Sequence, residues 1–297
     1  MELNNLHTSL HPPTIPLSSL QCLLPHTLSS FINTYPSLAF IMPTWFRKGI
    51  ERGTIITLDQ PGRSRWQILE KLNENDFQLW EAEYNRGERF SLGVTKLRCR
   101  DLRDHKEAFM RIYLQVPYRG TEMDDADTRA KQATTLQPRE LLAYEDLTWH
   151  DLGFTPKLLG SKTSTQDKWG PVPGGYAVYL VWEKVPGVRL GTKDGSNVFW
   201  ALDHAEREEI RLQFVKNFHA LEAIGYQNDT PALSSLVWDK DSKTLYFIGF
   251  RHRNKAAGPP RGIVPDEKWI AYYELAKPNS DAWLKEGWNQ DTTEWKW

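Results

Sequence analysis

AFMRIYLQV fills residues 108–116. The run is aromatic and aliphatic around one charge, Arg111, which reads as a β-strand. Upstream, LGVTKLRC over residues 92–99 reads as another strand. Before it, WQILEKL (66–72) and FQLWEAEY (77–84) flank Asn73-Glu74-Asn75-Asp76. Asn and Asp favour turns, so this is expected to be a hairpin with its turn at residues 73–76. Downstream, residues 120–128 are acidic and turn-prone. PRELLAYEDLTW (138–149) then puts Leu141, Tyr144 and Leu147 on one helical face.

The pattern continues past that helix. Leu158-Leu159 and YAVYLVWEK (176–184) read as strands, the second stopped by Pro186-Gly187. Residues 203–224 carry the strongest helical signal. Asp203 with Glu206 three positions on resembles a capping box. Ile210, Phe214, Phe218 and Leu221 make an apolar stripe, and Gly225 is a natural stop. Residues 235–238 and 245–250 form an expected hairpin, and a last helix is expected over 266–276, closed by Pro278. The class is α+β.

Composition excludes several functions. The chain has 297 residues, with 37 Lys and Arg against 38 Asp and Glu, a net charge of −1. Such a balance supplies no field to steer nucleic acid or an anionic membrane, so neither is expected as a partner. Two cysteines, Cys22 and Cys99, cannot make a disulfide scaffold, which favours a reducing setting and a cytoplasmic or nuclear location. No apolar run approaches the roughly 18 residues of a membrane span. Thirteen Trp are unusual; packing in the core is preferred over aromatic ligand platforms.

Residues 1–41 differ from the rest. No Lys or Arg precedes Arg47, and Glu2 is the sole charge in this stretch. Pro12, Pro13, Pro16 and Pro25 break any long helix. It has neither the basic start of a secretory signal nor the arginines of a mitochondrial presequence. The expectation is a poorly ordered tail without function, or upstream sequence ahead of a start at Met42. Residues 42–297 then make one domain.

From about Gly49 to Ala276 the order of these pieces resembles the protein-kinase-like fold, in particular compact fungal kinase-like and aminoglycoside-phosphotransferase-like proteins. The resemblance implies a two-lobed architecture with a truncated C-terminal lobe, the small lobe over about 49–184 and the large lobe over about 185–297. GTIITLDQPGRSRWQILEKL and FQLWEAE resemble the entry strand, phosphate-loop hairpin and second strand. AFMRIY resembles the third strand, which in the family ends in a phosphate-binding Lys. PRELLAYEDL and GFTPKLLG resemble the lobe's helix and the strand after it. YAVYLVWEKVPGVRL resembles the strand leading to the hinge. FHALEAIGYQNDTPALSSLVWD resembles the long helix entering the catalytic loop, and LYFIGF the strand carrying the metal-binding motif.

The resemblance implies ATP and magnesium as cofactors, and the site residues can be compared with what phosphoryl transfer needs. The expected phosphate-loop turn at 73–76 has no glycine and two carboxylates, which would repel phosphates. Arg111 stands for the strand Lys and keeps its charge on a wider, planar group. Glu140 aligns with the helix glutamate that pairs with that cation. In the loop Gln227-Asn228-Asp229-Thr230-Pro231-Ala232-Leu233-Ser234, Asp229 aligns with the catalytic base, Gln227 with the usual His and Ser234 with the metal-binding Asn. Gly249 replaces the magnesium carboxylate, and Arg251-His252-Arg253 brings positive charge where an active kinase brings negative. Arg251 is a candidate for the vacated metal space or for an anion. With the stretch that follows Gly249 here, an activation segment and peptide-gripping helices are not expected.

Other chemistries have less support. The sequence has no C-x-x-C, H-E-x-x-H or G-x-S-x-G. Acidic neighbours such as Asp124-Asp125 do not form an obvious opposed pair. The preferred reading is a catalytically degenerate, pseudokinase-like protein that binds an unidentified protein partner or small ligand, with Trp80 and Trp182 as pocket candidates. Two enzymatic alternatives stay open. One is a divergent small-molecule phosphotransferase with Asp229 as base and Arg111 on the phosphates. The other is a different reaction in the same cleft. No metal ligand set is identified.

Overall fold

The computed structural model describes residues 44–192, 197–226, 231–252 and 265–297, all within the unit Pro43–Trp297. Six antiparallel strands form the larger sheet: β1 (Ile55–Leu58), β2 (Ser64–Phe77), β3 (Leu92–Asp101), β4 (Glu107–Gln115), β5 (Leu158–Thr165) and β6 (Tyr176–Glu183), in spatial order β1-β2-β3-β4-β6-β5. Helix α1 (Glu81–Asn85) joins β2 to β3; α2 (Ala126–Ala130) and α3 (Arg139–His150) lie between β4 and β5.

The sheet curls until its edges meet. The Asp59 and Gln60 N–H groups donate to the Ser161 carbonyl at 3.2 and 3.1 Å, and the Ser161 N–H donates to the Gln60 carbonyl at 3.0 Å. These bonds satisfy groups that an open edge would expose. Side chains alternate along each strand with period two. On β4, Ala108, Met110 and Ile112 pack with Leu58, Trp66, Ile68, Leu97 and Cys99 on one face. Phe109, Arg111 and Tyr113 therefore point to the other face, where Val94, Leu180 and Trp182 meet α3.

The sequence expectation fails at residues 73–76. Asn73-Glu74-Asn75-Asp76 is not a turn but the second half of β2, paired with Lys96, Thr95, Val94 and Gly93 of β3. Two register irregularities, between Ile68 and Glu70 and between Lys71 and Asn73, bend the strand and let it continue. The segment expected to be the second strand of that hairpin instead enters α1.

The rest of the chain adds β7 (Val188–Arg189), α4 (His204–Ala223), β8 (Leu236–Asp239), β9 (Thr244–Phe247) and α5 (Asp266–Tyr272), with sheet order β7-β8-β9. Ile210, Phe214, Phe218 and Leu221 of α4 are buried, as the stripe predicts. Phe214 lies 5.6 Å from Phe247 and 4.8 Å from Tyr273 between ring centroids, tying α4 to β9 and to the end of α5. Burying such side chains contributes about 1.5–3 kcal/mol each.

Asp203 caps α4, its carboxylate accepting the Glu206 N–H at 2.8 Å. The reciprocal half of the expected box is used differently. Glu206 accepts from the Trp238 indole at 2.9 Å and from Lys240 at 2.8 Å, so it joins the helix to β8. The last helix stops at Tyr272, earlier than expected, because Glu274 takes a positive φ of 61°.

Candidate functional site

Residues 138–140 start α3 beside the middle of β4. Pro138, in extended conformation, accepts the first helical N–H groups from Leu141 and Leu142. Glu140 therefore sits in the first turn, where the helix dipole favours negative charge. Its carboxylate, with 1% of the side chain exposed, pairs with the Arg111 guanidinium. Its second oxygen accepts the Tyr113 hydroxyl at 2.8 Å. A buried carboxylate costs several kcal/mol unless its charge and lone pairs are met, and here both oxygens are used.

Electrostatics follow from this closure. Burial is the largest single influence on the Arg111 pKa and lowers it, but the Glu140 charge, the hydrogen bond to Glu140 and the neighbouring Tyr113 and Tyr144 together outweigh it and hold the guanidinium above its ordinary value. Burial, followed by the Glu140 charge, raises the Tyr113 pKa, and the positive charge of Arg251 partly opposes this. Both groups thus keep their neutral-pH states: Arg111 charged, Tyr113 a hydrogen-bond donor.

Aromatic groups fill the surface around the pair. The Arg111 guanidinium lies 5.2 Å from the Trp182 ring, which stacks on Tyr144 at 5.3 Å. Phe250 meets Tyr144 edge-on at 5.7 Å. Phe109, two residues before Arg111 on the same face, lies 6.1 Å from Trp182, and Lys96 caps the Phe109 ring at 3.9 Å. Trp182, a pocket candidate by sequence, is buried in the core, 5% exposed. Trp80 is exposed at the start of α1, with the Arg119 guanidinium 4.3 Å over its ring.

The remaining candidates lie near the small sheet. Ser234 is half-buried in a 3-10 turn, Leu233–Ser235, and its carbonyl accepts the Arg189 Nε–H at 2.5 Å. The Ile248 N–H donates to the Ser235 carbonyl at 2.8 Å, which puts Ser234 and Gly249 on adjacent segments. Gly249 has φ 85°, and a Cβ there would meet only Ser235 Oγ, at 3.7 Å. Arg251 is half-buried in the following 3-10 turn, Phe250–His252. The structure therefore brings Arg111, Glu140 and Tyr113 into contact and sets Arg251 within electrostatic reach of Tyr113. Asp229, Gln227, Asn228 and Arg253 lie outside the described residues.

The carboxylates of the expected turn have another task. Glu74 accepts the Trp45 backbone N–H at 2.6 Å, and Asp76 accepts the Trp45 indole N–H at 3.1 Å. They fasten residues 44–46 to β2 and do not face a phosphate loop. The connection from β2 to β3 is residues 78–91, which contain α1.

Sequence reading missed one cavity. It has a volume of about 500 Å³ and is lined by Gln60, Leu136, Leu141, Glu145, Ser161 and Lys162 among others. It forms where β1 closes on β5 beside the start of α3, and burial raises the Glu145 pKa there. Its walls come from segments far apart in sequence, so no local motif announced it.

The residue that the sequence resemblance matches to the metal carboxylate is Gly249, which has no side-chain ligand, and no group of three His, Cys, Asp or Glu residues among the described residues could hold a metal ion. Among the described residues, no helix is long and apolar enough to cross a membrane.

No family model matches the sequence, and no curated protein matches it. Among solved structures, the chain is similar to the Cydia pomonella granulovirus kinase PK-1, with a TM-score of 0.40 and 15% identity over 66% of this chain. The match spans 55%, about half, of that kinase's length.

Proposed function

We propose that this chain is a degenerate kinase-like protein that acts by binding a protein partner or a small ligand. The observation that carries this reading is the closed Arg111–Glu140–Tyr113 cluster. A strand cation paired to a glutamate in the first turn of the intervening helix is the arrangement the sequence resemblance implies. The order of β2, β3 and β4, then α3, then β5 and β6 agrees with it, and so would a division into lobes near residue 184. In a working kinase such a pair helps place phosphates and works with a metal-bound Asp. Here Glu140 spends both oxygens inside the protein, Phe109, Trp182 and Lys96 crowd the same face, and Gly249 offers no carboxylate.

The intact pair also favours one alternative, a divergent phosphotransferase with Asp229 as base. A thermal shift of the full chain with ATP, with and without magnesium, separates the two. A ligand at about 100 times its Kd stabilises by roughly 2.7 kcal/mol. No magnesium-dependent shift is expected. A clear one, together with phosphoryl transfer to a small hydroxyl acceptor that Asp229→Asn abolishes, would overturn the binding reading.

A further inference from the structure

We propose that Trp200, Arg207, Lys277 and Lys296 form a binding site for a small multivalent oxyanion, phosphate- or carboxylate-bearing. Lys277 and Lys296 face each other across an antiparallel bridge, each N–H donating to the other's carbonyl at 2.9 Å. Both ammonium groups reach the same indole, at 4.7 and 5.5 Å from the Trp200 ring centroid. Arg207 of α4 brings a third cation to that ring, at 5.1 Å. The ring is fixed by its own N–H, which donates to the Glu274 carbonyl at 3.1 Å.

Like charges directly opposed across a ladder repel. An aromatic ring offsets part of that for one cation, but three are gathered around this one. No Asp or Glu among the described residues forms an ion pair with Arg207, Lys277 or Lys296. A second observation points the same way. Arg207 Nε is buried without a hydrogen-bond partner. So is Nη2 of Arg211, one turn further along α4, a residue only 4% exposed. The Lys277 and Lys296 ammonium groups are exposed, and the two buried donors without acceptors lie behind them on α4; an oxyanion with several acceptor oxygens would bridge the ammonium groups and offset the excess positive charge. The site is built from the 3-10 turn Phe199–Ala201, α4 and the C-terminal segment, shares no residue with the Arg111 cluster, and does not rest on the kinase-like reading.

The test is a melting-temperature titration of the full chain with inorganic pyrophosphate and, separately, citrate. Sodium chloride at matched ionic strength is the control, because screening alone shifts surface electrostatics. At least one anion is expected to raise the melting temperature beyond the chloride control. A response to pyrophosphate alone identifies a phosphate-bearing ligand, and to citrate alone a carboxylate-bearing one. Lys277→Gln and Lys296→Gln should each weaken the response about tenfold, the loss of one charged hydrogen bond. Lys285→Gln, outside the cluster, should leave it intact. A Lys277→Gln/Lys296→Gln double variant should abolish the response, and the single variants serve if it does not fold. No response to either anion, or a response that survives both lysine substitutions, would overturn the proposal.

Discussion

The Glu140 carboxylate on α3 is the common acceptor of the Arg111 guanidinium and the Tyr113 hydroxyl on β4, so one side chain locks the helix to the sheet. Removing either charge leaves the other buried and unpaired, which costs about 3–5 kcal/mol. Arg111→Met and Glu140→Leu should each lower the urea-unfolding free energy by that order. The double variant should lose much less than their sum, because neither charge is then left alone. Additive losses would show that the pair is not coupled.

At the start of α4, two carboxylates do separate jobs that a capping box would have combined. Asp203→Ala should cost about 0.5–2 kcal/mol, the usual loss of an N-cap. Glu206→Ala should cost more in this protein, since it orphans the mostly buried Trp238 indole N–H as well as releasing Lys240. Chemical denaturation of the two variants side by side gives the order. A smaller effect at Glu206 would mean that its link to β8 contributes little.

How legible these features were depended on how local they are. β3, β4, β6, α3 and α4 appear in the sequence because each is a continuous apolar run or a regular stripe. The first half of β2, residues 66–72, also appears, but its second half does not, because Asn73, Asn75 and Asp76 are turn formers by local preference. Pairing with β3 overrides that preference, and two register irregularities absorb the mismatch. The Arg111–Glu140 pair was legible only through the order of elements, since 29 positions separate the partners. The anchoring of Trp45 by Glu74 and Asp76 had no signal, because an isolated aromatic near a chain segment's start carries no pattern. The cavity at the β1–β5 closure was invisible for the same reason, being a product of curvature.

Gly187 enters β7 at φ 100°, and a Cβ there would lie 2.2 Å from the Trp238 carbonyl oxygen. That oxygen belongs to the backbone of β8 and cannot swing aside. Gly187→Ala should therefore displace β7 from β8 and cost more than about 2 kcal/mol. Gly62 is the contrasting position: its φ is not positive, and a methyl group there would meet nothing within 4 Å. Gly62→Ala should be neutral or stabilise by up to about 1 kcal/mol. Equal effects at the two sites would remove close backbone approach as the explanation.

Cys99 lies on the inner face of β3 with no exposure, its thiol directed to the Ala108 carbonyl at 3.5 Å. Burial, followed by the nearby charges of Asp101 and Glu107, pushes its pKa from 9.0 up to about 12. Because the folded value is the higher one, the native state holds its proton where the unfolded chain has lost it. The associated stability is complete below pH 9 and is lost as pH rises from 9 toward 12. Relative to Cys99→Ala, the wild type should lose up to about 1.4 kcal/mol per pH unit in that window, and nothing between pH 7 and 8. The comparison cancels the buried tyrosines, which titrate in both proteins. Site-resolved alkylation adds a second readout: at pH 8 Cys99 should react only after denaturant is added. Parallel stability curves for the two proteins from pH 8 to 11 would contradict the assignment of this thiol to a sealed, apolar interior.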